Sequence, residues 1–261
     1  MPLADSYDAF LCDLDGVVWL GHEFLPGAVE TISGLIESGK GFCFVTNNPR
    51  LTPGDQARLL REGGIGIEDE QVVTAASTLV HLAIERHGEG APVLGIGTRS
   101  FLEQLAAAGF DLLPPDNPVG AKAVLMSGHL GFDYQELKNA SMLVREGADL
   151  IATSADPTMP MPDGLWPGSG AILAAIETAA GKKGTTTGKP APALFETALD
   201  VLGRPERVAM IGDRPDTDIA GAQAVGLEGI LVTAAGGASR DPSTKHTVPD
   251  HEIKSLAALL D

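Results

Sequence analysis

The run Asp13-Leu14-Asp15-Gly16 follows directly on the apolar stretch Ala9-Phe10-Leu11-Cys12. An apolar strand that ends in two carboxylates delivers them beyond the carboxyl edge of an open α/β sheet, where the ligand crevice of such sheets lies. Residues two apart on extended backbone project to the same side. One acid can therefore meet a substrate while the other works beside it, and Gly16 lets the chain turn away sharply. The pattern returns in Met210-Ile211-Gly212-Asp213, with Asp216 and Asp218 close behind. Hard oxygen ligands from separate strand ends suit magnesium, which takes one or two carboxylates and leaves its other positions to water and phosphate oxygens. Asp216 and Asp218 suit the N-cap of a following helix equally well, and that alternative stays open.

Two further runs fit an anion. Phe44-Val45-Thr46-Asn47-Asn48-Pro49 ends an apolar segment in a hydroxyl and small polar groups, although Asn-Asn-Pro also reads as a plain turn. Gly188-Lys189-Pro190 sets a lysine at the start of a predicted helix, where it either neutralises a phosphate or carboxylates, or is simply solvated in a loop. Gly168-Ser169-Gly170 reads as an anion nest or as close packing. Gly34 to Lys40 has the spacing of a phosphate-binding P-loop, but Gly41 replaces the hydroxyl residue and the run ends a helix instead of opening one. His22, His81, His87, His129, His246 and His251 have no ligand spacing, so neither zinc nor a Ser/His triad is supported.

The composition is that of a globular chain, with 261 residues, 44% hydrophobic and 20% charged. A formal charge of -17 argues against nucleic acid and anionic membrane as partners, since both need a basic face. A phosphorylated small molecule is still compatible, because a local lysine or metal can reverse the field inside one crevice. Cys12 and Cys43 sit in apolar runs as small buried hydrophobes, which favours a reducing, cytoplasmic setting, and no stretch has the length of a membrane span. A homodimer is left open.

Strand and helix alternate, which predicts a doubly wound α/β fold with parallel strands. Strands are expected at Ala9 to Asp13, Gly41 to Thr46, Val93 to Gly97, Ala121 to Ser127, Asp149 to Thr153, Arg207 to Ile211 and Gly229 to Thr233. Helices are expected at Pro26 to Ser38, from Thr52-Pro53 onward, and at Phe101 to Ala108, Tyr134 to Glu146, Ala171 to Ala180, Ala191 to Leu202, Thr217 to Val225 and His251 to Leu260. Glycine-rich joints at Gly88-Glu89-Gly90 and Gly181-Lys182-Lys183-Gly184 divide the chain into a core over 1–87 and 184–261 and an inserted α/β domain over 88–183.

In this order, Asp13-Leu14-Asp15-Gly16, Thr46-Asn47-Asn48, Gly188-Lys189-Pro190 and Gly212-Asp213 through Asp218 resemble the four motifs of the haloacid dehalogenase superfamily of phosphatases. The long interval between Thr46 and Lys189 is similar to the α/β cap of the NagD-like branch, whose relatives include p-nitrophenyl and glycerol-3-phosphate phosphatases. Further likeness lies in Asp15 to Gly21, Ala152 to Pro157 and Gly164 to Gly170. The resemblance implies a Rossmann-like core with a cap and a magnesium-dependent phosphatase acting on a small phosphate monoester. It implies Asp13 as nucleophile and Asp15 as general acid/base. Thr46, Asn47 and Lys189 would bind the phosphoryl group, while Asp13, the Asp15 carbonyl and Asp213 would hold the metal with Asp218 in support. Asp156, Thr158, Met159 and Trp166 are the cap residues it points to for the leaving group. Ser154-Ala155 and Ala235-Gly236 depart from the usual Asn-Pro and Thr-Gly, which bears on substrate choice. Glycerol phosphate, phosphoglycolate, sugar phosphates and nucleoside monophosphates are all open, as are a phosphomutase or phosphotransferase on the same core and a non-catalytic phosphate-binding regulatory protein.

Overall fold

A computed structural model describes residues 1–21, 23–49, 51–161, 163–233 and 247–261. The chain forms two compact units. The first comprises Met1–Thr46, Pro53–Thr74 and Lys189–Asp261, and the second comprises Asn47–Thr52 and Ala75–Gly188.

The elements run in chain order as β1 (Ala9–Asp13), the hairpin β2 (Trp19–Leu20) and β3 (Glu23–Phe24), α1 (Ala28–Glu37), β4 (Gly41–Thr46), α2 (Pro53–Glu62) and β5 (Val72–Thr74). There follow α3 (Ala75–His87), β6 (Pro92–Gly97), α4 (Arg99–Ala107), β7 (Asp111–Leu112), β8 (Ala123–Gly128), α5 (Tyr134–Glu146) and β9 (Asp149–Ala152). The second unit closes with β10 (Thr158–Met161), β11 (Gly164–Pro167), α6 (Ser169–Ala180) and β12 (Thr185–Thr186). The chain then returns to the first unit as α7 (Pro192–Val201), β13 (Val208–Gly212), a π-helical turn Pro215–Ile219, α8 (Ala220–Ala224), β14 (Glu228–Val232) and β15 (His251–Ile253).

In the first unit β1 lies at the centre of a six-stranded sheet ordered β15-β14-β13-β1-β4-β5, parallel throughout. Its five residues are all buried, as a parallel strand covered on both faces should be. Phe10 and Cys12 face a core that includes Ile32, Phe42, Phe44, Leu60 and Ile211, each of these large side chains contributing about 1.5–3 kcal/mol by burial. The central position matters for the site: β1 is flanked by β13 and β4, so the ends of three strands meet at one edge.

The second unit has its own parallel sheet, β12-β9-β8-β6-β7. One face packs on α5 and α6 through Leu94, Val124, Met126 and Ile176, and the other on α3 and α4 through Leu79, Phe101, Leu125 and Ile151. Asp133 caps α5, accepting from the Gln135 and Glu136 amides at 2.8 and 2.9 Å. The doubly wound α/β class expected from the alternation is the architecture found. α3, unassigned from the sequence, belongs with the second unit although it precedes the glycine joint at Gly88. The helix expected at His251 to Leu260 is instead the edge strand β15 followed by a 3₁₀ turn Leu256–Leu260. Pairing of His251, Glu252 and Ile253 with β14 overrides the local helix preference of that segment. Among the described residues no helix is long and apolar enough to cross a membrane.

Candidate active site

Four buried ionisable side chains converge at the carboxyl edge of the first unit's sheet. Asp13 ends β1, Asp213 directly follows β13, Asp218 lies in the π-helical turn and Lys189 precedes α7. The Lys189 ammonium stands 2.7 Å from Asp13 Oδ1 and 2.7 Å from Asp218 Oδ1. Its side chain is only 4% exposed, which disposes of the solvated-loop alternative. Carboxylate oxygens of Asp13, Asp213 and Asp218 lie within 4.8 Å of one another.

Local sequence explains the placement. Asp13 Oδ1 accepts the Leu14 amide at 2.8 Å, which anchors the carboxylate at the strand end. Gly16 has φ +88, and a Cβ there would run into the Asp213 carboxylate, so the turn after Asp15 needs glycine for both reasons. Asp218 Oδ2 accepts the Arg214 amide at 3.0 Å, and Asp216 pairs with Arg214 at 3.0 Å. Neither acid caps the start of α8.

The electrostatics are unbalanced in a way that suits a divalent cation. One ammonium faces three carboxylates in a buried setting. Burial, with added repulsion from Asp218 and Asp213, pushes the Asp13 carboxyl well above its usual range even though Lys189 pulls it down. Burial and then the Asp218 charge raise Asp213 to about 6. Lys189 is held as the ammonium: burial opposes its charge, but Asp13 and Asp218 outweigh that and raise it. Asp213 Oδ1 is buried and has no hydrogen-bond partner among the described residues. An orphaned carboxylate oxygen beside two more carboxylates is a donor set that fits magnesium.

The remaining expected residues fall into two places. Thr46 ends β4, and its neighbour Val45 pairs with Asp13; the Val45 carbonyl also accepts from Lys189 at 3.5 Å. Asp15 lies exposed just past β1. Asn47 belongs to the second unit, where its amide donates to Asp156 Oδ2 at 3.3 Å, and Ser154 Oγ donates to the same oxygen at 2.7 Å. Thr158 and Met159 lie on β10 opposite Pro167 and Trp166 of β11, and the Trp166 indole donates to Asp163 at 2.8 Å.

Gly168-Ser169-Gly170 is a packing element. The Asp156 carbonyl takes the Gly170 amide at 2.9 Å, and a Cβ on either glycine would strike backbone of the Ala155–Thr158 segment. Cys12 is a buried thiol driven up by burial and by the Asp13 charge, and Cys43 is pushed up to about 12 by burial. Ala235-Gly236, His22 and His246 lie outside the described residues. Sequence reasoning passed over Trp19, whose indole N–H donates to Asp15 Oδ1 at 3.2 Å. The available signal was a tryptophan four residues after an acid, in a turn bounded by glycine.

Comparison with known proteins gives the same assignment from both parts of the core. Residues 10–111 match the haloacid dehalogenase-like hydrolase family, and residues 186–259 match the HAD-hydrolase-like family. The D-glycerol 3-phosphate phosphatase of Mycobacterium tuberculosis is 35% identical over 261 residues, covering 97% of this chain and 72% of the relative. An acid sugar phosphatase of Staphylococcus aureus is 33% identical over 252 residues, 96% of each chain. Among solved structures, the glycerol phosphate phosphatase of M. tuberculosis in complex with magnesium aligns with a TM-score of 0.83 and 32% identity, over 100% of this chain and 78% of that one. The 4-nitrophenylphosphatase of Thermotoga maritima aligns with a TM-score of 0.86 and 32% identity, over 99% and 98%. The chain therefore belongs to the haloacid dehalogenase-like hydrolases, in the branch that holds the NagD-like and 4-nitrophenyl phosphatases.

Proposed function

We propose that the protein is a magnesium-dependent phosphatase that hydrolyses a small phosphate monoester through an aspartyl-phosphate on Asp13. The observation that carries this reading is Lys189 held between Asp13 and Asp218, with Asp213 beside them and one of its oxygens unpartnered. Asp13 and Asp213, with Asp218 in support and the Asp15 carbonyl as a further oxygen, would hold the metal. Magnesium bound there would offset the repulsion between a carboxylate nucleophile and a phosphate dianion and stabilise charge on the phosphoryl oxygens.

The chain's own residues then divide the work. Asp13 attacks phosphorus, splitting one difficult displacement into two easier ones. Lys189 keeps the nucleophile oriented and lends positive charge to the transferring group. Asp15 gives a proton to the departing alkoxide and recovers one from the water that attacks the intermediate. Thr46 and Asn47 are assigned to the phosphoryl oxygens. Substrate choice is assigned to the second unit, with Asp156, Thr158, Met159 and Trp166 as the residues to vary. The names of the relatives, a D-glycerol 3-phosphate phosphatase and an acid sugar phosphatase, support a small polyol or sugar phosphate as the substrate. Two buried free cysteines and an acidic chain support a cytoplasmic setting.

A phosphomutase would share the covalent step. Among the described residues between Gly16 and Thr46 the elements are the β2–β3 hairpin, α1 and β4, with no helical cap inserted there, which favours hydrolysis. The deciding experiment is a panel of phosphate monoesters assayed for inorganic phosphate with and without magnesium, alongside Asp13→Asn. Metal-dependent release, abolished by the substitution, is the expected result. Full activity in Asp13→Asn overturns the nucleophile, and no turnover of any ester by the wild type favours a non-catalytic binding protein.

A further inference from the structure

Asp15 is exposed just past the end of β1. Trp19 supplies a fixed partner, its indole Nε1–H donating to Asp15 Oδ1 at 3.2 Å. The donor end of this contact is rigid. Trp19 is 1% exposed, it meets Phe24 edge to face with ring centroids 5.7 Å apart, and it pairs with Phe24 across the hairpin. Backbone bonds close the same turn, from the Gly16 amide to the Trp19 carbonyl at 2.8 Å and from the Trp19 amide to the Leu14 carbonyl at 3.2 Å.

We propose that Trp19 is a positioning residue for proton transfer, orienting the Asp15 carboxyl group through Oδ1. The inference rests on Asp15 acting as the acid/base of the proposed reaction. An indole N–H donates and cannot accept, so it orients the carboxyl group without competing for its proton. As the bond from Asp13 to phosphorus forms and the bond from phosphorus to the leaving oxygen breaks, the Asp15 carboxyl proton passes to that oxygen. In the second step a water oxygen bonds to phosphorus, the Asp13–phosphorus bond breaks, and a water proton returns to the Asp15 carboxylate. Trp19 keeps one geometry through both steps and exchanges no proton itself.

Trp19→Phe keeps a ring in the core and removes the N–H. The readout is kcat/KM with magnesium on two probes: glycerol 3-phosphate, whose alkoxide needs a proton to leave, and p-nitrophenyl phosphate, whose phenolate leaves without one. The expected result is a loss of about tenfold or more on the alkyl ester and less than about threefold on the aryl ester, the mark of impaired general acid catalysis. Equal losses on both, or no loss on the alkyl ester, overturn the proposal. Asp15→Asn assayed in parallel separates the two failures. An equal loss on both esters in Asp15→Asn sinks the acid assignment itself, whereas an alkyl-selective loss there and none in Trp19→Phe sinks only the positioning role. An independent test leaves Trp19 in place. The chain has two tryptophans, so a ¹H–¹⁵N spectrum has two indole signals, assigned with Trp166→Phe. The Trp19 indole proton should move upfield in Asp15→Ala, and an unmoved signal overturns the contact.

Discussion

The Lys189 ammonium lies 2.7 Å from Asp13 Oδ1, with both side chains buried at the edge of the sheet. Taking away the cation leaves clustered carboxylates without compensation, and breaking a buried pair in this way costs about 3–5 kcal/mol. Lys189→Met should therefore unfold at markedly lower urea in chelator, and it should also lose phosphatase activity. A variant as stable as the wild type would contradict the coupling drawn here.

Asp213 presses the other way. Its carboxyl is raised from 3.8 to about 6, so its stabilising contribution is fully present below 3.8 and lost as pH rises through about 6. The penalty near neutral pH is on the order of 3 kcal/mol at most for a shift of that size. Asp213→Asn should thus melt higher than the wild type in chelator at neutral pH, yet gain no further stability from magnesium. Thermal unfolding of both proteins with chelator and with magnesium checks this, and a variant that melts lower in chelator would refute it.

Gly16 combines a left-handed φ with a close approach to Asp213. Gly16→Ala should cost about 1–2 kcal/mol from the backbone alone. Because the new methyl displaces the Asp213 carboxylate, the magnesium concentration needed for half-maximal activity should rise. Unchanged magnesium dependence would show that Asp213 has room to shift without consequence.

Asp250 is an exposed group whose carboxyl is held below its usual range by the Gly229 amide and then by Gln223. A depressed carboxyl contributes stability above its ordinary value of 3.8 and loses it as pH falls through the lowered one. Asp250→Asn should lower stability at neutral pH by less than about 1 kcal/mol, since the site is open to solvent, and should flatten the acid limb of the stability profile. An acid limb identical to the wild type would remove Asp250 from the account.

Much of the site was legible because β1, β4 and β13 are unbroken apolar runs that stop at polar residues, a pattern buried parallel strands leave in any sequence. Asp218 was ambiguous for a physical reason: an acid at the head of a helix and an acid feeding a buried cation look alike until the chain shows that the Arg214 amide and Lys189 take its oxygens. α3 is hard to read from sequence because it begins at Ala75 directly after β5 ends at Thr74, with no glycine or proline to mark the join. β15 reads locally as helix because three residues pairing at a sheet edge leave too short a signal against the Leu and Ala that follow. Trp19 escaped because the direction of an indole N–H is set by the fold of the hairpin and not by spacing.

The covalent step can be caught directly. Wild-type enzyme mixed with p-nitrophenyl phosphate and magnesium, quenched in acid during turnover and digested, should yield a phosphorylated peptide carrying the modification on Asp13. A phosphoryl group on another residue, or none on an enzyme that is turning over and whose Asp13→Asn variant stays active, would contradict the account.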